Sequence, residues 1–451
     1  MSAINEAAGW GAEEGRLFAG TSKADITPAQ DRLVIPNGGC AYCLPGRGEE
    51  EKGERVEVLD PIGARVLVLK NARTSLAIVS LDLILFSSKK VIQEAREKWK
   101  LDHVIFSCTH THSSMVPRGM VPAPQGWRAW EFQDDDPGVL VDWPAFSEDP
   151  WYAATEEKVL AAIGEAASHL FPAEIAAGSG PFESPCMAHN RRLVKPDGTV
   201  EMMWANPNRE PTRPVDPTVG VIQVNDGAGR PRAFLVHYAC HPVGLMGSGV
   251  LSRDFPGAMC DSIESELGAD CMAMFLQGAE GDLDPYDMGL KGPQGFELMR
   301  QAGVSLGKGA LEMAKSLRPQ RGASIKVKES LVPIRHQKND KVTEAGVLSV
   351  VINDRLALVA IAGEPFIQHQ LDLREKSPVA DTFLLGVAYA GAGSPFLIYL
   401  PTEQAVREGG YGATENCFVA GEAGGSLVKR AAADIAELTG KNRIGQENQC
   451  V

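Results

Sequence analysis

A chain of 451 residues is long enough for two or three average domains or for one large α/β unit. Its 44% hydrophobic and 23% charged residues are those of a globular protein with a sizeable core. The formal charge of −14 argues against nucleic acid and stable membrane association, because both draw on basic patches that release counterions. The first residues lack the basic start and apolar run of a secretory signal, and no segment approaches the length of a membrane span, so a cytoplasmic protein is expected.

Residues 1–16 read as a flexible segment, 17–440 as one unit undivided by low-complexity linkers, and 441–451 as a tail. The run from Leu17 to Pro28 reads as an edge strand ended by proline. A Gly/Pro-rich loop follows through Pro36 to Gly46. Within it Cys40 and Cys43 form a CxxC without a second pair at zinc-ribbon spacing, which reads as loop packing. Nine cysteines is an odd number, and Cys108, Cys240 and Cys271 lie in apolar runs, so buried thiols are expected and disulfides are not.

Periodicity predicts strands from Ala64 to Leu69 and from Leu76 to Leu83. A helix follows with Val91, Ile92, Ala95 and Trp99 on one face, then a strand ending at His110, giving a strand, helix, strand crossover. Residues 114–152 carry Pro117, Pro122, Pro124 and Pro137 with Trp127, Trp130, Trp143 and Trp151. Loops of this length are functional or disordered, and the aromatic content argues against disorder. The segment reads as a lid, or as a loop whose tryptophans only pack it onto the body. Helices are predicted near 153–170, 256–267, 296–316 and 426–438, the last capped by Ser426. Strands are predicted near 233–242, 271–276, 346–352, 356–361 and 383–388. The block from Leu356 to Glu364, with its following helix and strand, loosely echoes the block from Leu76 to His110. The fold class is α/β with α+β character, mixed sheets flanked by helices.

Chemistry concentrates at Thr109-His110-Thr111-His112-Ser113, directly after the apolar run Val104 to Cys108. In extended chain residues i and i+2 share a side, so His110 and His112 would face one site at a strand's carboxyl end. Imidazole is the commonest protein metal ligand. Thr109, Thr111 and Ser113 could supply the outer hydrogen bonds that a ligand histidine needs. An inert, hydrogen-bonded pair at a loop entrance is the competing reading, so further ligands are required. His241, Glu364 and Tyr411 also fall past apolar strands or in Gly-rich turns. With His110 they make a set suited to Zn²⁺ with a water position left open, although their spacing does not group them.

Grouping comes from a resemblance that runs through nearly the whole chain. Lys23-Ala24-Asp25-Ile26-Thr27-Pro28, His110-Thr111-His112-Ser113, His241-Pro242 with Ser252 to Gly257, and Gln277-Gly278-Ala279-Glu280-Gly281-Asp282-Leu283-Asp284-Pro285 together resemble the neutral, non-lysosomal ceramidase family. Gly363-Glu364-Pro365 and Tyr411-Gly412-Ala413-Thr414 resemble its later motifs, in order. The resemblance implies that family's catalytic-domain fold and one zinc per chain held by His110, His241, Glu364 and Tyr411. It further implies amide hydrolysis by metal-activated water, with His112 binding substrate or moving a proton. Asn190-Arg191-Arg192 resembles a pocket-lining element, though the same residues also read as a solvated turn. Asp282, Asp284, Asn190, Arg191 and Ser113 are therefore the further candidates for catalysis and substrate binding.

Departures set the substrate expectation. Asp284 stands where the family carries a serine implicated in the reaction, and an ionised carboxylate cannot donate as a hydroxyl does. Ser114-Met115-Val116-Pro117 replaces the family's glycines, and no carboxy-terminal immunoglobulin-like domain follows the last motif. The expected activity is zinc-dependent cleavage of a C–N bond in a small, polar N-acyl substrate rather than ceramide. A zinc hydrolase or lyase of an ester, lactone or carbohydrate is the second reading, because Asp284, Asp282 and Glu280 suit hydroxyl-rich ligands. A binding protein without turnover is the third.

Overall fold

The computed structural model describes residues 15–28, 56–116, 149–182, 188–320, 322–338, 341–390 and 395–441. The loop from Pro36 to Gly46 with its CxxC, residues 117–148 with Trp127, Trp130 and Trp143, and nearly all of both terminal segments lie outside these residues. Along the chain, the main strands are Leu17–Asp25 (β1), Gly63–Lys70 (β2), Ser75–Leu81 (β3), His103–Cys108 (β4), Phe171–Pro181 (β5), Thr218–Asp226 (β6), Pro231–Tyr238 (β7) and Met272–Gln277 (β8). They continue with Ile325–Arg335 (β9), Val342–Ile352 (β10), Leu356–Ile361 (β11), Asp381–Leu385 (β12) and Ala388–Ala390 (β13). Helices are Lys89–Trp99 (α1), Pro150–Ser168 (α2), Asp254–Leu267 (α3), Gly292–Ala314 (α4), Ile367–Lys376 (α5) and Ala423–Thr439 (α6).

A nine-stranded mixed sheet runs in the order β8-β7-β6-β5-β1-β2-β3-β4-β13, and a four-stranded sheet in the order β9-β10-β11-β12. Alternation along the strands explains how they stack. In β2, Leu67 and Leu69 face the small sheet while Val66 and Val68 face α1 and α2. In the small sheet, Leu348, Val350 and Leu358 meet the large sheet while Val347, Val351 and Val359 meet α5 and α6. On the large sheet's other wing, Val219, Val221, Phe234 and Val236 pack on α3 and α4. The result is four layers, helix, sheet, sheet, helix, and strands buried on both faces read as continuous apolar runs. This is the α/β architecture with mixed, helix-flanked sheets.

Three parallel crossovers shape the large and small sheets: β3-α1-β4, β7-α3-β8 and β11-α5-β12. The echo between the blocks around Leu76 and Leu356 is thus a shared crossover topology. Ser88 caps α1 by accepting from the Val91 N–H, and Val91, Ile92 and Ala95 are buried as the periodicity requires. Trp99 lies over Gly164 of α2, where a Cβ would sit 2.2 Å from the indole.

Some sequence expectations change. β1 is an interior strand between β2 and β5, not an edge; its polar residues bond inward, Ser22 Oγ donating to the Ala162 carbonyl of α2 at 2.6 Å. Trp151 belongs to the first turn of α2, buried and donating from Nε1 to the Ile26 carbonyl, rather than to a lid. Helix α6 starts at Ala423 behind Glu422, so Ser426 sits inside it and is not its cap. Cys108, Cys240, Cys260, Cys271 and Cys417 are buried thiols, none of them in a disulfide. Among the described residues no helix is long and apolar enough to cross a membrane.

His237 on β7 links the sheets. Its Nε2–H donates to the Leu384 carbonyl of β12 at 2.8 Å, and its ring stacks on Phe383 at 5.0 Å. Burial drives its pKa down to about 4, so the neutral ring is the folded form. Its contribution to stability is present above pH about 6.5 and is lost as pH falls through about 4, on the order of 3 kcal/mol in full. Urea unfolding at stepped pH should therefore give His237→Gln a flatter acid limb than wild type. Parallel limbs would contradict this account.

Candidate metal centre

The carboxyl ends of β4, β7, β8 and β11 meet at one end of the two sheets, and each runs into a turn bearing a polar residue. Backbone bonds lock these turns together. The His112 N–H donates to the Pro242 carbonyl, the His241 N–H to Leu283, the Gly281 N–H to Pro365 and the Glu364 N–H to Ile398. Gly281 is needed for this approach, since a Cβ there would lie 2.4 Å from the Glu364 carbonyl oxygen.

His110 and His241 are oriented alike. The Nδ1–H of His110 donates to the Ile84 carbonyl at 2.7 Å and that of His241 to the Glu280 carbonyl at 2.8 Å, which leaves each Nε2 as a lone pair turned inward. Glu364 Oε2 lies 3.6 Å from His110 Nε2 and 3.4 Å from His241 Nε2. Both Glu364 Oε2 and His241 Nε2 are buried and make no hydrogen bond. Two imidazole nitrogens and a carboxylate oxygen that converge in this way form a donor set that a divalent cation fits. His112 adds a third ring, its Nε2 3.4 Å from that of His110. Two overlapping groups can hold an ion here: His110, His112 and His241, and His110, Glu280 and Glu364.

Electrostatics follow from burial and crowding. Burial, with the neighbouring rings of His110 and His241, pushes His112 well below the usual imidazole range, and burial likewise lowers His241. Burial opposes ionisation of Glu364, but His110 and His241 outweigh it and hold its carboxyl well below the usual range. Glu280 is driven well above that range by burial and by Glu364.

The histidines open onto a cavity of about 610 Å³, within the range of small-ligand sites. Ile84, Leu85, Val243, Met246, Met288 and Ile398 give it apolar walls. Arg191, Asp284, Tyr399, Tyr411, Asn416 and Trp204 give it polar and aromatic ones. Arg191 is buried and donates from Nη1 to Asp284 Oδ1 at 3.2 Å and from Nη2 to the Gly281 carbonyl at 2.7 Å. Its guanidinium lies 5.2–5.3 Å from the ring centroids of Trp204, Tyr399 and Tyr411, a cation–π cage. Asp284 Oδ2 has no partner. Tyr411 lines the cavity, and its hydroxyl accepts from Asn416 at 2.9 Å.

The structure thus brings His110, His112, His241, Glu364, Tyr411, Arg191 and Asp284 to one cavity. Asn190, Asp282 and Ser113 do not line it. Asp282 accepts the Ile367 N–H, the first of α5, on Oδ1 and the Asn190 amide on Oδ2, both at 2.7 Å, so it holds the Glu364 turn. Burial, partly offset by those donors, raises its pKa to about 6. Asn190 spends its remaining groups on the Pro214 carbonyl and the Arg192 N–H, which makes it a brace. Ser113 is fully buried and gives its carbonyl to the Ser252 N–H. The solvated-turn reading of Arg191-Arg192 fails, because both guanidinium groups are buried; Arg192 bonds the Gly409 and Ala405 carbonyls.

His110 and His112 do meet, but not by strand alternation. β4 ends at Cys108, and His110 adopts φ +67° in the following turn. Nor do the flanking hydroxyls bond the rings: Thr111 Oγ1 donates to the Ser252 carbonyl, and Ile84 and Glu280 carbonyls serve instead. Tyr399, Trp204 and Met246 were not legible as site residues. They sit in runs with no signal beyond apolarity.

This architecture, a stacked pair of helix-flanked sheets with a histidine and carboxylate cluster at the strand ends, is the neutral ceramidase fold. The chain is similar to the crystal structure of neutral ceramidase from Pseudomonas aeruginosa, with a TM-score of 0.68 and 16% identity over 95% of this chain and 76% of that one. It is similar to a ceramidase complexed with C2 at the same TM-score and 15% identity, over 97% of this chain and 78% of that one. No protein-family model and no curated protein matches the sequence.

Asp282→Ala should lower unfolding free energy by about 1–3 kcal/mol, the effect of stranding the buried Ile367 N–H and Asn190 amide. Denaturant unfolding in the presence of chelator measures it without a metal contribution. Unchanged stability would remove the bracing role.

Proposed function

We propose that the protein is a metal-dependent amidohydrolase that cleaves the C–N bond of a small N-acyl substrate carrying hydroxyl or ammonium donors. The observation that carries this reading is the convergence of His110 Nε2, His241 Nε2 and Glu364 Oε2, the last two without a hydrogen-bond partner and both imidazoles held by Nδ1–H bonds to backbone carbonyls. The ceramidase fold supports the reaction class. His110, His241 and Glu364 would hold the ion, with Tyr411 completing the set, and zinc is the ion that such a nitrogen and oxygen set suits. When bound, a zinc ion supplies Lewis acidity toward the amide carbonyl and lowers the pKa of water toward neutrality.

The chain's own residues do the rest. His112, half-buried and neutral at pH 7, presents an unpartnered Nδ1 and sits against His110, where it can take a proton from the attacking water and return it to the departing nitrogen. Arg191 fixes Asp284 through Oδ1, so that Oδ2 is left to accept a hydrogen bond from the substrate. Met246, Met288 and Ile398 exclude water from the apolar side of the cavity. Of the three carboxylates that favoured a carbohydrate substrate, only Asp284 lines the cavity, so the amide reading gains.

Elemental analysis of purified protein should give about one metal ion per chain in wild type and most of it lost in His110→Ala and His241→Ala. Full metal content in both variants would reject the ligand assignment. His112→Ala should retain metal and lose turnover by roughly a hundredfold to ten-thousandfold; loss of metal instead would make His112 a ligand. Long-chain ceramide should be cleaved poorly or not at all beside small polar amides, and Asp284→Ser should not restore it. Efficient ceramide cleavage by wild type would overturn the substrate class, and metal with no turnover on amides, esters or glycosides would favour a binding protein.

A further inference from the structure

The cavity accounts for His110, His112, His241, Glu364 and Asp284, but it leaves one charged group of the cluster without a role. Glu280 is fully buried, and neither of its carboxylate oxygens has a hydrogen-bond partner. It does not line the cavity, so it cannot touch a substrate there. Gln277, a neighbouring amide, donates instead to the Cys240 carbonyl at 3.1 Å. Yet a Glu280 oxygen lies within 4.8 Å of donor atoms of both His110 and Glu364, while its backbone carbonyl accepts the Nδ1–H of His241 at 2.8 Å. One residue therefore fixes one candidate ligand with its main chain and approaches two others with its side chain.

Charge accounting narrows what that side chain does. Asp284 is matched by Arg191 through the bond between Oδ1 and Nη1. Glu364 and Glu280 have no such cation among the described residues. A buried carboxylate without a counter-charge costs several kcal/mol. Two carboxylates and one divalent cation sum to zero charge, and neutral imidazoles complete the shell without altering that balance.

Resting on the metal-centre reading above, we infer that Glu280 is a further ligand of that centre. The site then presents two carboxylates and two imidazoles with Tyr411, which raises the coordination number to about five or six and shifts its preference from tetrahedral Zn²⁺ toward ions such as Mn²⁺ that favour oxygen donors. The space around Glu280 is shaped for this. A Cβ at Gly386 would sit 2.7 Å from Glu280 Oε2 and 2.6 Å from the Gly278 carbonyl oxygen, so the backbone of the β12 to β13 turn closes against the carboxylate and confines it.

The test reads metal binding, not turnover. Apo protein is loaded with Mn²⁺ or Zn²⁺, and dissociation constants, coordination number by X-ray absorption and thermal shift are measured for wild type and Glu280→Gln. The inference expects a coordination number of about five or six in wild type. In the variant, it expects the ratio of Mn²⁺ to Zn²⁺ affinity to fall by at least about tenfold. It also expects Glu280→Gln to gain less thermal stability from metal than wild type does, because a ligand is gone. An unchanged affinity ratio, or four-coordinate metal in wild type, overturns the role of Glu280 while leaving the His110, His241 and Glu364 centre standing. Wild type that binds neither ion overturns the centre itself, and this inference with it. If Glu280→Gln does not fold, the wild-type coordination number still decides the matter.

Discussion

An imidazole has one lone pair to offer, and which nitrogen carries it depends on what the other nitrogen bonds. In this protein Ile84 and Glu280 carbonyls take the Nδ1–H of His110 and His241, and that pair of backbone bonds aims both Nε2 atoms at Glu364. Everything else in the site depends on keeping those carbonyls still. Ile84 lies in the turn after β3, Glu280 in the turn after β8, and both strands pair in parallel with the strands that deliver the histidines. Each of these two crossovers therefore supplies its own orienting group: the turn after β3 orients the ligand that follows β4, and the turn after β8 orients the ligand that follows β7.

The same economy appears in the carboxylates. Asp282 spends both oxygens on Ile367 and Asn190, which ties β8's turn to the start of α5 and so to Glu364 three residues before it. Asp284, two residues on, spends one oxygen on Arg191 and keeps the other. Glu280, two residues before Asp282, keeps both. A single short segment grades from a free carboxylate beneath the histidines, through a structural brace, to a half-free acceptor at the cavity wall.

Charge and apolar walls divide the cavity into two functions. The caged guanidinium of Arg191 is held by three aromatic rings and Asp284, so its charge is committed to shaping the wall. Met246, Met288 and Ile398 lower the local dielectric on the other side, which strengthens each charge interaction at the histidines.

Much of this was legible in the residues. Apolar runs such as Val104 to Cys108, Ala233 to Tyr238 and Leu356 to Ile361 announce strands because burial on both faces leaves no polar alternation to confuse with a helix, and a polar motif at the end of each marks a site. The strands Phe171–Pro181 and Thr218–Asp226 carried no comparable signal, since glycine, proline and small residues take their extended form from pairing with neighbours, as Gly178 does opposite Val221. Sequence placed β1 at an edge because proline ends the run, but β5, well over a hundred residues away, pairs with its first residues and Ser22 bonds into α2, which makes it interior. Composition and motif order by themselves determined the fold class and the residue types at its chemistry. Which carboxylate braces, which faces the cavity and which lies beneath the histidines was decided only by the tertiary structure, because a side chain's role depends on hydrogen-bond partners that local spacing does not encode.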